Sequence, residues 1–329
     1  MSIMQILTPA YFREVYLQGV RTSLAACGLG GSANAWSLPD SVIMHHLTSA
    51  VSYVATTLDI DLQSHPNRQF TRKYDQMDWH GERWYLKTSP VRPVKRVYKL
   101  EIQHGPFVVA TDGFVELPLD WVQIGSEIQG SIFVTPYSGA PASIAHLPWG
   151  TGMDTWYRWM PLFMRVTQST GFEFELVGTV TATEGSATAT ISGTGADNLQ
   201  NTLRFGQRVK LGSQIVMVTD IPTSSTFTFD GVHNAGFSGT AVVMDYDPMI
   251  LDVVAYQALT PILETIAARL FGPVMSKSTS ADSMSQSKSY AVTPQTSAMY
   301  SMQSRATERR DELMAALASR YASFNMASW

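Results

Sequence analysis

The chain has 329 residues, enough for two or three compact units with sizeable cores. Charged residues make up only 15% of it, against roughly 25% in ordinary globular chains, and the net charge is −4. No global charge therefore draws it to nucleic acid, and its single cysteine, Cys27, excludes an internal disulfide and a cysteine-based metal site. A charge-poor surface with 8 Trp, 13 Tyr and 16 Met suits contact with neighbouring proteins. The N-terminus lacks a signal-peptide pattern, and no run of eighteen apolar residues marks a membrane span.

In chain order, Thr8-Pro9 predicts an N-cap and a first helical residue, followed by a short helix through Phe12, Val15, Tyr16 and Val20. Cys27 to Asn34 reads as a Gly-rich loop. Ser37-Leu38-Pro39-Asp40 has the form of a capping box. Behind it Ile43, Leu47, Ala50, Val51, Val54 and Leu58 form one apolar stripe at helical period.

From about Gln69 to Gln168 the pattern is β, with strands expected at Phe70–Tyr74, Arg83–Lys87, Val94–Ile102, Glu127–Thr135 and Trp156–Thr167. Tyr137 to Asp154 reads as a long loop. Val177 to Val243 is a run of short Thr/Val-rich strands broken by turn signals, which predicts a small sandwich or barrel.

Asp247-Pro248 caps a further helix carrying Leu251, Val254, Ala255, Ala258, Leu259, Ile262 and Ile266. Pro261 is expected to kink or split it, and Gly272-Pro273 to end it. Residues 276–304 hold ten serines and read as a polar, low-complexity arm. A last amphipathic stretch, Ser297 to Tyr321, is marked by Ala306, Leu313, Leu317 and Tyr321. The N-terminal helices and the 248–271 helix are expected to pack together, because neither has enough partners alone.

No constellation for catalysis emerges, and the chain is read as non-enzymatic and without a cofactor or metal. His45 and His46 are adjacent, so they point about 100° apart on a helix and make a poor metal pair; the histidines read as surface or interface residues. Asp59 and Asp61 sit in a post-helix loop as solvated acids. Gly28 to Gly31 lacks the Lys-Ser/Thr of a phosphate loop, and Cys27 has no neighbouring base.

One charge asymmetry stands out. Residues 68–99 contain nine cations (Arg68, Arg72, Lys73, Arg83, Lys87, Arg92, Lys95, Arg96 and Lys99) against three acids. Interleaved Trp and Tyr make this either a nucleic-acid-facing strip or the solvated face of alternating, edge-protected strands.

Six phrases in order resemble the head–tail connector (adaptor) proteins of tailed bacteriophages. They are Leu7-Thr-Pro-Ala-Tyr-Phe-Arg-Glu-Val-Tyr-Leu-Gln-Gly19, the helix ending Thr57-Leu-Asp-Ile-Asp-Leu62, Leu86-Lys-Thr-Ser-Pro-Val-Arg-Pro-Val94, Phe163-Met-Arg-Val-Thr-Gln-Ser-Thr-Gly-Phe172, Asp247-Pro-Met-Ile-Leu-Asp-Val-Val-Ala255, and the Ser-rich Ser276 to Ser287 with Ser297 to Ser301. Residues 173–246 interrupt the expected strand-to-helix junction and are themselves similar to a small β-module of phage virion proteins.

The resemblance implies an α+β fold: a helical body, a projecting antiparallel sheet, an inserted β sandwich or barrel, and an extended C-terminal arm. Its parts would be 1–62, 63–172, 173–246, 247–272 and 273–329. It implies a virion protein at the head–tail interface, made in the host bacterial cytoplasm. The protein would form a ring of about a dozen copies on the portal, receive a neck or tail protein below, and pass genomic DNA without sequence-specific binding or any membrane partner. Met275, Met284, Gln286, Met299, Tyr300 and Met302 are the expected contacts to the portal or a neighbour, and the basic strip is the candidate DNA-channel lining. The alternatives are another neck or tail-completion protein, or a carbohydrate-binding virion protein using Phe205, Phe227, Phe229 and Phe237.

Overall fold

A computed structural model of the chain describes residues 3–18, 20, 37–73, 79–80, 83–87, 93–103, 114–126, 130–134, 163–271, 276–281, 284–289 and 294–321. The chain is α+β and divides into two units, one of residues 1–62 with 247–329 and one of residues 63–246. The Cys27–Asn34 loop, the Tyr137–Asp154 loop, Arg92 and Met275 lie outside the described residues.

The first unit is helical. Its elements are α1 (Ile3–Ile6), α2 (Pro9–Val15), α3 (Asp40–Leu58), α5 (Pro248–Phe271) and α6 (Pro294–Tyr321); α4 belongs to the second unit. Thr8 caps α2 as its spacing predicts, the hydroxyl accepting from the Tyr11 amide at 3.2 Å. The helix stops at Val15, short of the expected Val20, with Tyr16 as its C-cap.

The capping box at Ser37 does not form. Pro39 is the N-cap without a side-chain hydrogen bond, and α3 begins at Asp40. The proline holds Leu38 in an extended conformation, so the helix cannot start earlier. Asp40 instead pairs with Arg13, whose guanidinium also donates to the Leu38 carbonyl at 2.8 Å.

All six residues of the α3 stripe are buried. Each large aliphatic among them contributes on the order of 1.5–3 kcal/mol. They face α5, which packs on α3 and on α6. Asp247 caps α5 through the Met249 amide at 2.9 Å. Pro261 does not split α5, which is one helix from Pro248 to Phe271. Burial on both flanks, including Ile262 and Leu263, outweighs the lost backbone hydrogen bond. By length and composition, Pro248–Ala267 would suffice to cross a membrane, but it is the core helix of this unit.

The C-terminal helix reaches further back than its apolar marks. It starts at Pro294, so residues 294–304 of the expected arm are helical. Ala306, Leu313, Leu317 and Tyr321 are all buried. The Ser-rich segment before it is a two-stranded hairpin of β17 (Ser276–Ala281) and β18 (Met284–Ser289), with Lys277 opposite Lys288.

The second unit is built of antiparallel sheets. One has the order β1 (His65–Lys73), β8 (Phe163–Thr170), β4 (Val97–Gln103), β5 (Phe114–Leu117). Another has the order β2 (Trp79–His80), β3 (Arg83–Lys87), β7 (Ser131–Val134), β6 (Val122–Ser126). The third spans residues 173–244 in eight strands, in the order β15 (Phe237–Gly239), β10 (Thr179–Ala182), β11 (Thr188–Ser192), β14 (Thr226–Phe229), β13 (Gln214–Thr223), β12 (Arg208–Leu211), β16 (Val242–Met244), β9 (Glu173–Glu175). A short helix, α4 (Leu199–Thr202), joins β11 to β12.

This last sheet has its own core, with Val180, Ala189, Leu199, Val209, Leu211, Val218, Phe227, Ala241 and Val243 fully buried. Gly178 is required there: at φ +122° an added Cβ would come within 3.0 Å of the Ile191 side chain and the Ser192 carbonyl.

Candidate functional site

The sequence singles out three places: the basic strip, the C-terminal segment, and the aromatics of residues 177–243. The strip does not remain one free face. Lys95 Nζ donates to Asp245 at 2.7 Å, and Arg96 donates through two nitrogens to both oxygens of Asp197 at 2.6 Å. Lys99 pairs with Glu101 at 2.9 Å and with Glu116 at 3.4 Å. Arg68 is exposed and lies over the Phe70 ring, 4.9 Å from its centroid. Arg72 and Lys73 stand on β1, and Arg83 and Lys87 on β3.

The paired cations form a seam instead. The Asp197 carboxylate accepts from Arg96 and from the Val177 amide at 2.7 Å. Asp245 accepts from Lys95 and, on its other oxygen, from Gln207 at 2.9 Å. The Tyr98 hydroxyl accepts from the Glu175 amide at 2.6 Å, and burial raises its pKa. The eight-stranded sheet is thereby fixed against the β1-β8-β4-β5 sheet by charge-assisted bonds reaching far along the chain.

Where the chain enters and leaves that sheet, its ends are also clamped. Phe172 stacks on Tyr246 at 5.4 Å, and the Tyr246 hydroxyl donates to Glu173 at 3.0 Å. The Ser64 hydroxyl accepts from the Phe172 amide at 2.7 Å.

A second buried charge cluster lies on β4 and β8. Glu101 is 4% exposed, and Arg165 grips both its oxygens at 2.6 Å. The Arg165 hydrogen bonds hold the Glu101 carboxyl below the usual range, against the opposing pull of burial.

In the C-terminal segment, Tyr300 is 45% exposed and Met302 half-buried on α6, Met299 lies on the same helix, and Met284 and Gln286 sit on β18. Of the four phenylalanines, Phe227 and Phe229 are core residues and Phe237 is half-buried, which leaves Phe205 alone fully outward at 80% exposure. A glycan platform of paired aromatics is therefore not assembled by these four.

The histidines divide. His45 and His46 are neighbours on α3 with ring centroids 5.4 Å apart, and burial together with the His45 charge lowers the His46 pKa. His233, expected on the surface, is instead buried, its Nε2 3.3 Å from the Leu211 carbonyl. Asp59 is exposed at the left-handed position that ends α3, with φ 53° and ψ 48°. Among the described residues no three His, Cys, Asp or Glu side chains stand together as a metal site.

No known protein family matches the chain, and no curated protein matches it.

Proposed function

We propose that the chain is a structural virion protein: a head–tail adaptor that forms a ring on the portal vertex, joins the DNA-filled capsid to the neck or tail, and lines part of the DNA channel. It acts by assembly and not by turnover. The observation that carries the reading is the division of the chain. A helical unit is made from both chain ends, and the β-rich segment 63–246 is carried between them. The resemblance in the sequence implies that arrangement, with α3 and α5 as the body of the adaptor.

In this reading residues 173–246 are a module inserted at the junction between β8 and α5. Insertion there costs little loop-closure entropy, because the two ends of the module are already neighbours through the β9–β16 pairing. The hairpin 276–289 is the arm that orders against the portal or a neighbouring subunit. A two-stranded hairpin with Lys277 opposite Lys288 has little stability of its own and gains it from a partner. Arg68, exposed on β1, supplies a cation to the DNA side, whereas Lys95 and Arg96 serve the internal seam and Lys99 pairs with Glu101 and Glu116.

The reading is tested by imaging particles made with and without the protein. Adaptor function requires that its loss yield DNA-filled heads lacking attached tails, and that a labelled copy mark the neck. Complete particles formed without it would overturn the reading.

A further inference from the structure

The outward face of α3 differs from that of the other long exposed helix described in its unit, α6. Between Asp40 and Asp59 the helix carries no Asp, Glu, Lys or Arg. Its exposed residues are Ser41, His45, Ser49, Ser52, Tyr53 and Thr56, with Thr57 beside them, and Tyr53 is 50% exposed. By contrast α6 exposes Arg305, Glu308, Arg309, Asp311 and Glu312, the pattern of a solvated helix.

Four of the α3 hydroxyls already have partners. Thr48 donates to the Met44 carbonyl, Ser52 to Thr48, Thr56 to Ser52 and Thr57 to Tyr53, at 2.8 to 3.2 Å. Such a face loses little when water leaves it, because no donor among these four is stranded. A charge-poor face with an exposed tyrosine has the composition of an interface core.

The same unit carries a complementary patch. On α2, Tyr11 and Val15 are 37% and 46% exposed, one turn apart, with Glu14 as the exposed charge between them. Salt bridging of Arg13 to Asp40 ties α2 to the start of α3. Tyr53 lies thirteen residues further along α3, roughly 20 Å away. The two patches are therefore separate, one bearing a carboxylate and the other the exposed imidazole of His45.

We infer that the α3 face is docked by the α2 patch of a second copy of this chain, with Tyr11 and Val15 against Tyr53 and Glu14 against His45. The inference rests on the adaptor reading. Because the two patches differ, the contact is heterologous: each copy offers one of each, and repetition builds a ring where the rotation between copies closes, as the adaptor reading requires. A single contact of this size is weak, so assembly depends on closure or on a template that raises local concentration.

The test compares Tyr53→Lys and Val15→Lys proteins with the wild type by native mass spectrometry, alone and with the cognate portal. Arg309→Ala on the charged face of α6 is the control. Both tested side chains are about half exposed, and unchanged thermal unfolding verifies that the variants fold. Each variant is expected to lose at least 90% of the ring, while Arg309→Ala retains it. Mixing the two variants restores only one good contact per pair, too weak to hold without closure, and is expected to give no rings.

Rings retained in both variants overturn this inference and leave the adaptor reading standing. A wild-type protein that forms no ring under either condition overturns both.

Discussion

Arg96 and Asp197, 101 residues apart in sequence, meet through two parallel hydrogen bonds of 2.6 Å. The pair is largely withdrawn from solvent, with side-chain exposures of 26% and 10%. It joins the segment that leads into β4 to the turn before α4, and so fixes the eight-stranded sheet to the rest of its unit.

Removing one partner leaves the other charge withdrawn from water. Asp197→Ala is expected to cost about 3–5 kcal/mol, because it also removes the acceptor of the Val177 amide; Arg96→Ala is expected to cost less, about 2–3 kcal/mol. Urea unfolding of the two single variants and the double variant measures both costs. A double variant far less impaired than the sum of the singles is the expected sign of coupling.

Glu101 gives the second unit an acid limit. Its carboxyl titrates below the ordinary carboxylate range when folded, chiefly through Arg165. A depressed carboxylate contributes stability that is fully present above the unfolded value, about 4.3, and is lost as pH falls through the folded value. Thermal midpoints measured from pH 6 to pH 2.5 are expected to fall more steeply for the wild type than for Glu101→Gln. The variant is less stable at pH 6 because it leaves Arg165 without its anion.

Two glycines with left-handed backbones separate packing from strain. Gly178→Ala meets both a forbidden φ and contacts of 3.0 Å, and is expected to cost about 2–4 kcal/mol. Gly185→Ala, at φ +74° in open space, is expected to cost about 1 kcal/mol. Chemical denaturation of both variants decides the comparison.

The C-terminal helix belongs to the body it packs on. Leu317, fully buried on α6, is expected to cost about 2–4 kcal/mol when changed to Ala. In a calorimetric scan the loss appears in the transition of the helical unit and leaves that of the β unit in place. Truncation after Gly272 would therefore remove a packed helix as well as the Ser-rich hairpin. Deleting residues 276–289 removes the hairpin alone.

Local signals carried much of this fold. The Thr8 and Asp247 caps and the apolar stripes of α3, α5 and α6 are written within one or two helical turns, and each appears where its spacing places it. Ser37 misled because Pro39 decides where the helix can start. β5, β6 and β9 escaped notice because three to five residues are too few to show a period of two.

The basic strip shows the deeper limit. Lys95 and Arg96 look like free cations in sequence because their carboxylates, Asp245 and Asp197, lie 150 and 101 residues away. Asp197 sits in a Gly-rich turn with no pattern to mark it. His233 likewise reads as a surface histidine until the eight-stranded core closes over it.

The central claim is that this chain assembles on a portal. The most direct measurement is the native mass of the purified protein, alone and mixed with its cognate portal, for the wild type and for the deletion of residues 276–289. The adaptor account expects a portal-bound ring of about a dozen copies that the deletion fails to form. A monomer whose mass is indifferent to the portal would contradict it.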